Sequence, residues 1–479
     1  MIEVSTRMRI SRPLIVTATF VLALALGGAI VAQTAPDPHR QGRALLDEVV
    51  RQVKSTFIRR DVTDDQLYAG AVKALLESAG AGCARQVASP PPPGNGRARF
   101  YAMLERVEDR CASPQRSTDD LFLAAARGML DALGDQYTRF MDPRAYQMFQ
   151  QDAQGFFYGI GIYIDVKDDF PIVVQPITNT PASRAGLRAG DRIVVVDGVS
   201  TRGMSLQEAV TRIRGREGTT VRLRIRRGEG ELDVNIVRAR IQITAAEGPE
   251  GLDAATRGEL RRAGIGYVKL ITFNHERAVE EFDRLVAEAR RTGAKALIFD
   301  LRTNGGGLLD QGIRLASRFL PAGQPILHIY DRNGRQATER SRRGAKVTLP
   351  TVVLVNEFSA SASEIVAGAM QDSGTATLVG VHTFGKNLIQ SIVPLPMGAG
   401  AAITSAKFLT PKGQDISKKG LTPDVVVGEP EEALRAKLKG RPEAEIEQRL
   451  NQMRADQLRR GIEILKRKLQ RSVRLPAAA

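Results

Sequence analysis

Leu354-Val-Asn-Glu-Phe-Ser-Ala-Ser361-Ala-Ser-Glu-Ile365 begins as an apolar strand, crosses a cluster of small residues and enters a helix predicted from Glu364 to Met370. Such a junction exposes a side chain at the end of the strand. The N–H groups that follow are helix donors without intrahelical partners, and donors of this kind stabilise a developing oxyanion. A serine at this place has the setting of a nucleophile. Serine is equally a good helix N-cap, and the segment alone serves either purpose.

Outward from this junction the apolar runs share one pattern. Val352 to Val355, Gly266 to Leu270 and Ala296 to Asp300 read as buried strands, and a charged amphipathic helix from about Arg277 to Arg291 separates the last two. Strand, helix and strand at this spacing predict a parallel pair joined by a crossover, so residues 241–430 form an α/β unit. Two further stretches of it can carry chemistry. In Thr383-Phe-Gly-Lys386-Asn-Leu-Ile-Gln390 a lysine lies among apolar residues and glycine. Desolvation lowers a lysine pKa, and a neutral amine can accept a serine proton; an ordinary loop lysine is the other reading. Phe384 and Leu388 are placed to exclude water, Gln390 lies one helical turn beyond the lysine, and His382 is the one imidazole nearby among four histidines. Asp300-Leu-Arg-Thr-Asn304-Gly-Gly-Gly307 follows a buried strand, and its glycines allow close backbone approach. Phosphate binding competes for such a loop, but the spacing is not that of a P-loop.

The rest of the 479 residues divides by composition. Arg7, Arg9 and Arg12 precede an apolar run from Pro13 to Ala32, so residues 1–34 read as a signal peptide or membrane anchor with the remainder exported. Residues 35–150 are helical by period, with Leu46, Val50, Val53 and Phe57 on one face and helix starts at Thr63 and Thr118. Cys83 and Cys111, the two cysteines, flank a proline-rich loop and are expected to pair in an oxidising compartment. Residues 151–240 switch to strand periods, with a glycine-broken start at Tyr158-Gly-Ile-Gly-Ile-Tyr163 and a hairpin turn at Asp197-Gly198. Residues 431–479 form a basic helical tail in which Leu458, Ile462, Leu465 and Leu469 share a face, fit either for packing on the core or for a partner or membrane surface. The net charge of +16 is spread along the chain without interleaved aromatics, so no nucleic-acid partner is expected. No metal-ligand spacing occurs, and neither metal nor cofactor is expected.

Taken together, these residues resemble the C-terminal processing (tail-specific) peptidases, from about Thr118 to Val427. The resemblance rests on Ser-Ala-Ser361-Ala-Ser-Glu, Thr383-Phe-Gly-Lys386 with Gln390, Asp300-Leu-Arg-x-Asn304, Leu421-Thr-Pro-Asp424, and the Gly-Ile-Gly-Ile strand with Ala185-Gly-Leu-x-x-Gly-Asp-x-Ile193 of a PDZ domain. It implies a crotonase-like α/β protease core, a mainly β PDZ domain and an N-terminal helical region. It also implies that Ser361 is the nucleophile, Lys386 the general base and Gln390 the residue orienting the lysine. The N–H groups of Ala362 and of Gly306 or Gly307 match the oxyanion hole. Gly159, Ile160, Gly161 and Ile162 match the PDZ loop that takes a substrate's free C-terminus. The implied activity is that of an exported serine endopeptidase, periplasmic or anchored in the inner membrane, acting on proteins or peptides with free C-termini and able to form homo-oligomers. A catalytically inactive PDZ protein that binds peptides on the same fold is the alternative. The sequence departs from the family's pattern at Phe358, at His382, at Asn387 and at Asp135-Gln-Tyr-Thr138, which replaces Asp-Pro-His-Ser.

Overall fold

The computed structural model describes Asp37 and residues 39–87, 94–111, 116–342 and 346–474. The expected export segment lies outside them. The chain divides into two units, 1–40 and 41–479. Of the first, the structure describes Asp37, His39 and Arg40, where the His39 N–H donates to the Asp37 carboxylate.

The second unit opens with the helix Arg40–Thr56, all but its first residue, and continues with the helices Asp64–Ala79, Ala81–Val87, Gly96–Arg110 and Thr118–Asp131. Thr63 caps the second by accepting from the Gln66 N–H. The fifth is capped one residue earlier than the sequence suggests, by Ser117, which forms a capping box with Asp120. The second and fifth helices cross where Gly70 and Gly128 face each other, and a Cβ at Gly70 would stand 2.2 Å from the Gly128 carbonyl oxygen. Cys83 and Cys111 form a disulfide joining the third and fourth helices; the proline-rich stretch between them lies outside the described residues.

After this bundle the strand Arg139–Met141 pairs antiparallel with Gly400–Leu409, deep in the second half of the sequence. The helix Pro143–Ala153 and the strand Phe156–Gly159 then lead into a β domain, and Ala239–Gln242 leads out of it paired against Phe156–Gly159. The boundaries expected at 150 and 240 therefore fall inside an element each. Between the linkers, Ile162–Lys167, Phe170–Pro176, Arg192–Val196, Thr220–Arg227 and Gly230–Val237 form one antiparallel sheet. The helix Leu206–Ile213 is capped by Ser205 with Glu208. Thr220–Arg227 alternates buried and exposed residues, as a strand with one wet face must.

Residues beyond 245 build the predicted α/β unit. Ile265–Leu270, Ala296–Asp300, Thr351–Val355, Ala376–Gly380 and Val425–Val426 lie side by side and parallel. The helix Ala278–Arg291 is the crossover between the first two. A second, antiparallel sheet was not foreseen. It contains Pro325–Asp331, Gln336–Arg340, Leu388–Pro394, Gly400–Leu409 and the early strand Arg139–Met141. Gln390 lies on the strand Leu388–Pro394, so it is not one helical turn from Lys386.

The tail packs back on the core. Its long helix Glu443–Arg474 lays Leu458, Ile462 and Leu465 on Ile298, Val352, Leu354 and Val379 of the parallel sheet. Arg302 ties this helix down. Its guanidinium donates to Asp300, to the Arg454 carbonyl oxygen at 2.7 Å and to Gln457 Oε1 at 3.1 Å. Asp300 is completely buried and also accepts from the Tyr267 hydroxyl at 2.9 Å. Burial alone would raise its pKa, but Arg302 holds it below the ordinary value. Among the described residues no helix is long and apolar enough to cross a membrane.

Gly461 is where this helix touches the sheet, and a Cβ there would already stand 2.9 Å from Ile298 Cδ1 and 3.1 Å from Val352 Cγ1. Gly461→Leu should therefore cost about 1–3 kcal/mol of stability by overpacking, read as a lower midpoint in urea unfolding. An unchanged midpoint would mean that the helix does not bear on the sheet.

Candidate active site

The strand Thr351–Val355 ends in a turn whose three serines have different fates. Ser359 is fully buried and its hydroxyl donates to the Leu301 carbonyl oxygen at 2.8 Å. Ser363 is also fully buried and donates to the Asn304 carbonyl oxygen at 2.8 Å. Both hydroxyls are structural ties to the Asp300–Gly307 loop. Ser361 stays partly exposed and heads the helix Ala362–Asp372 with φ 55° and ψ −114°. A non-glycine residue there carries on the order of 1–3 kcal/mol of strain, which the surroundings must hold.

They hold it through Glu364. This side chain is buried, and its Oε2 accepts from the Ser361 N–H at 2.9 Å. The same carboxylate accepts from the Thr383 hydroxyl at 2.6 Å, the Gly385 N–H at 2.7 Å and the Lys386 N–H at 2.9 Å. Burial pushes its pKa up, and these four donors pull it back without cancelling the rise. The Phe384 N–H adds a bond to the Ser359 carbonyl oxygen. The serine turn and the lysine loop are thus laced together, mainly by a residue that the sequence offered only as the start of a helix.

Lys386 sits at the end of that loop, partly buried. Burial lowers its pKa and Arg139 lowers it further, while Asp135 and Glu364 act the other way. Its Nζ stands 4.5 Å from the centre of the Tyr137 ring. Phe384, expected to exclude water from the lysine, is 52% exposed, and the ring beside Nζ is Tyr137, from the N-terminal half of the chain. Gln390 is partly buried on its strand, beside a register shift at Ile389/Gln390, and its Nε2 is buried without a hydrogen-bond partner. His382 is exposed, and its Nδ1 lies 3.3 Å from the Thr383 carbonyl oxygen.

The glycine loop borders the serine. Gly306, at φ 94°, is so close that a Cβ would meet Ser361 Cβ at 2.8 Å and the Ala362 nitrogen at 2.9 Å. Its N–H is engaged by Asn304 Oδ1 at 2.9 Å, and its carbonyl accepts from the Phe273 N–H. Gly307 bridges Phe273 in parallel fashion, using the Gly306 carbonyl and the Leu308 N–H. Such a bridge directs Gly307's own N–H to the opposite side.

In the β domain, Gly159, Ile160, Gly161 and Ile162 line a cleft of about 330 Å³ together with Val210, Ile213 and Arg214. Gly161 has φ 81°, and a Cβ on it would strike Thr180 within 2.4 Å, so no other residue fits. Arg214 donates to Asp152 Oδ1 at 2.8 Å and lies over the Phe157 ring. Among the described residues no group of three His, Cys, Asp or Glu side chains could hold a metal ion.

Comparison with known proteins agrees with this architecture. The model of peptidase family S41 matches residues 264–427, and a PDZ domain model matches residues 172–227. The carboxy-terminal processing protease CtpA of Bacillus subtilis is 34% identical over 333 residues, 69% of this chain and 69% of that protein. The carboxyl-terminal-processing protease of Picosynechococcus sp. is 37% identical over 316 residues, 66% of this chain and 74% of its own length. A carboxy-terminal-processing protease of Bartonella bacilliformis is 35% identical over 374 residues, covering 73% and 82%. The chain belongs to the carboxy-terminal processing proteases, serine peptidases of family S41, and carries a PDZ domain.

Glu364→Gln tests the lacing directly. An amide offers one acceptor oxygen and turns two donors toward N–H groups that need an acceptor. Leaving one such buried group unpaired costs about 1–3 kcal/mol. The variant should unfold at lower temperature and lose most peptidase activity, and wild-type values for both would show that the carboxylate is dispensable.

Proposed function

We propose that this chain is an exported endopeptidase that recognises substrates by their C-termini and cuts them with a Ser361–Lys386 pair. The observation that carries the pairing is the Glu364 carboxylate, which accepts from the N–H groups of both residues. Neutral Lys386 takes the Ser361 hydroxyl proton as Oγ attacks the scissile carbonyl carbon. The oxyanion so formed is held by the N–H groups of Ala362 and Gly307. We choose Gly307 over Gly306 because the Gly306 N–H is already engaged by Asn304. The C–N bond then breaks, the Lys386 ammonium returns its proton to the leaving amine, and water activated by the same amine hydrolyses the acyl-enzyme. To Gln390, on the strand that follows the lysine loop and with its Nε2 buried without a hydrogen-bond partner, we assign the orienting of Nζ. The parallel sheet with flanking helices supports the crotonase-like description of the core.

The PDZ cleft suits a free carboxylate. Gly159 to Ile162 line it together with Arg214, whose guanidinium is paired with Asp152, and free backbone N–H groups of such a loop capture terminal carboxylates. Export is supported by the charged-then-apolar N-terminus and by the Cys83–Cys111 disulfide, since such bonds persist in oxidising compartments.

Ser361→Ala should abolish degradation of an unfolded protein. Lys386→Ala should lower kcat by on the order of 10²–10⁴, and Lys386→Arg should match it, because a guanidinium keeps its proton. His382→Ala should retain activity. Activity lost in His382→Ala and kept in Lys386→Ala would instead make the enzyme a serine–histidine hydrolase, activity kept in Ser361→Ala would remove Ser361 as the nucleophile, and a wild-type protein without activity would leave only the peptide-binding reading.

Amidating the C-terminus of a peptide substrate removes the charge that the Arg214 side of the cleft would meet. We expect KM to rise several-fold for the amide. Equal kinetics for amide and free acid would remove carboxylate capture from the function.

A further inference from the structure

The Asp135-Gln-Tyr-Thr138 turn lies far from the lysine loop in sequence, yet the structure sets the two against each other. Asp135 pins the turn, accepting from the Tyr137 N–H at 3.1 Å and from the Thr138 hydroxyl at 2.9 Å. The buried Thr138 hydroxyl in turn accepts from the Thr404 N–H at 3.1 Å. Arg139 pairs in register with Ala402 one step further on. The lysine loop is referred to the same strand, because Leu388, two residues after Lys386, pairs with Lys407. Tyr137 and Lys386 are therefore both fixed against Gly400–Leu409, and the Tyr137 ring comes to lie 4.5 Å from Lys386 Nζ.

We propose that Tyr137 is a positioning residue for the general base, its ring face locating Lys386 Nζ and stabilising the ammonium that forms when Nζ takes the Ser361 proton. The inference rests on the reading of Lys386 as the base. Its chemistry is that of a cation over an aromatic face, which grows in strength as water is excluded. The step conserves charge locally: the proton leaves Ser361 Oγ, the positive charge appears on Nζ, and the ring quadrupole meets it. Other charged groups bear on the same nitrogen. Arg139, on the strand Arg139–Met141, opposes the ammonium, while Asp135 in the turn and Glu364 on the helix Ala362–Asp372 favour it. A ring that stabilises the cation without adding net charge offsets burial and Arg139 while leaving the amine able to lose its proton.

The experiment is a pH profile of kcat and KM on fluorescein-labelled casein, with the full-length protein and its Tyr137→Leu, Tyr137→Met, Tyr137→Phe and Lys386→Ala variants. Tyr137→Leu should lower kcat about tenfold at little change in KM, and its acid limb should move to lower pH by up to about one unit, because the ammonium loses a stabilising partner. Tyr137→Met, flexible enough to fill the space, reads the same effect if the leucine variant fails to fold. Tyr137→Phe restores the ring and should recover both kcat and the limb. Three results overturn the proposal. The first is a leucine or methionine profile equal to wild type. The second is a limb moving to higher pH, which would make Tyr137 a water-excluding wall only. The third is a phenylalanine variant as impaired as leucine, which would assign the effect to the hydroxyl. Activity surviving in Lys386→Ala would instead fail the base reading, and this inference with it, whereas an inactive Lys386→Ala beside wild-type Tyr137 variants would fail the inference alone.

Discussion

The Glu364 carboxylate accepts from the Ser361 N–H on its own helix and from Thr383, Gly385 and Lys386 on the loop opposite. A buried carboxylate is tolerable only when its charge is met, and here backbone and hydroxyl donors meet it together with the positive end of the helix Ala362–Asp372. Two segments that the chain keeps apart are drawn to one point. The positive-φ backbone of Ser361 is held with its N–H bonded to that carboxylate. Serine, lysine and glycine loop are arranged around this acceptor, and the parallel strands beneath provide the ends from which the loops start.

A second buried acid works on the other side of the sheet. Asp300 and Arg302 begin the loop that carries Gly306 and Gly307, and Arg302 also reaches the Arg454 carbonyl oxygen and Gln457. The helix Glu443–Arg474 is thereby coupled to the loop bordering the serine. Its leucines close the face of the sheet that the helices around Ala278–Arg291 and Leu309–Ala316 leave bare.

Much of this was legible from residues alone. Continuous apolar runs such as Ala296–Asp300 gave the parallel strands, because both their faces are buried. The side-chain cap at Thr63 marked a helix start with local chemistry. The antiparallel sheet was hidden, since the first half of Gly400–Leu409 is buried on both faces and rich in small residues, so a period of two shows only from Ser405 onward. Leu388–Pro394, half-buried from Leu388 to Ser391 and exposed at Ile392 and Pro394, can pass for a helical turn at its start, which puts Gln390 wrongly on a helix. The serine, lysine and glycines stood out because their spacing is a motif. Glu364 and Tyr137 did not, because what they do is decided by partners far along the chain: an acid in a first helical turn reads as a cap, and a tyrosine in a turn reads as nothing in particular. Phe384 shows the converse, an apolar neighbour in sequence that the fold turns to solvent.

The strand Gly400–Leu409 receives Arg139–Met141 on one edge region and Leu388–Pro394 beside it. A ribosome releases the chain from its N-terminus, so the residues of the helical bundle and of the Tyr137 turn are made before the segment that docks them and that adds Leu395, Ala399, Ala401 and Ile403 to the bundle's core. Nothing can complete the lysine environment until the strand ending at Leu409 has left the exit tunnel. A chain that stops short of Leu409 therefore lacks the strand against which the Tyr137 turn and the lysine loop are both fixed.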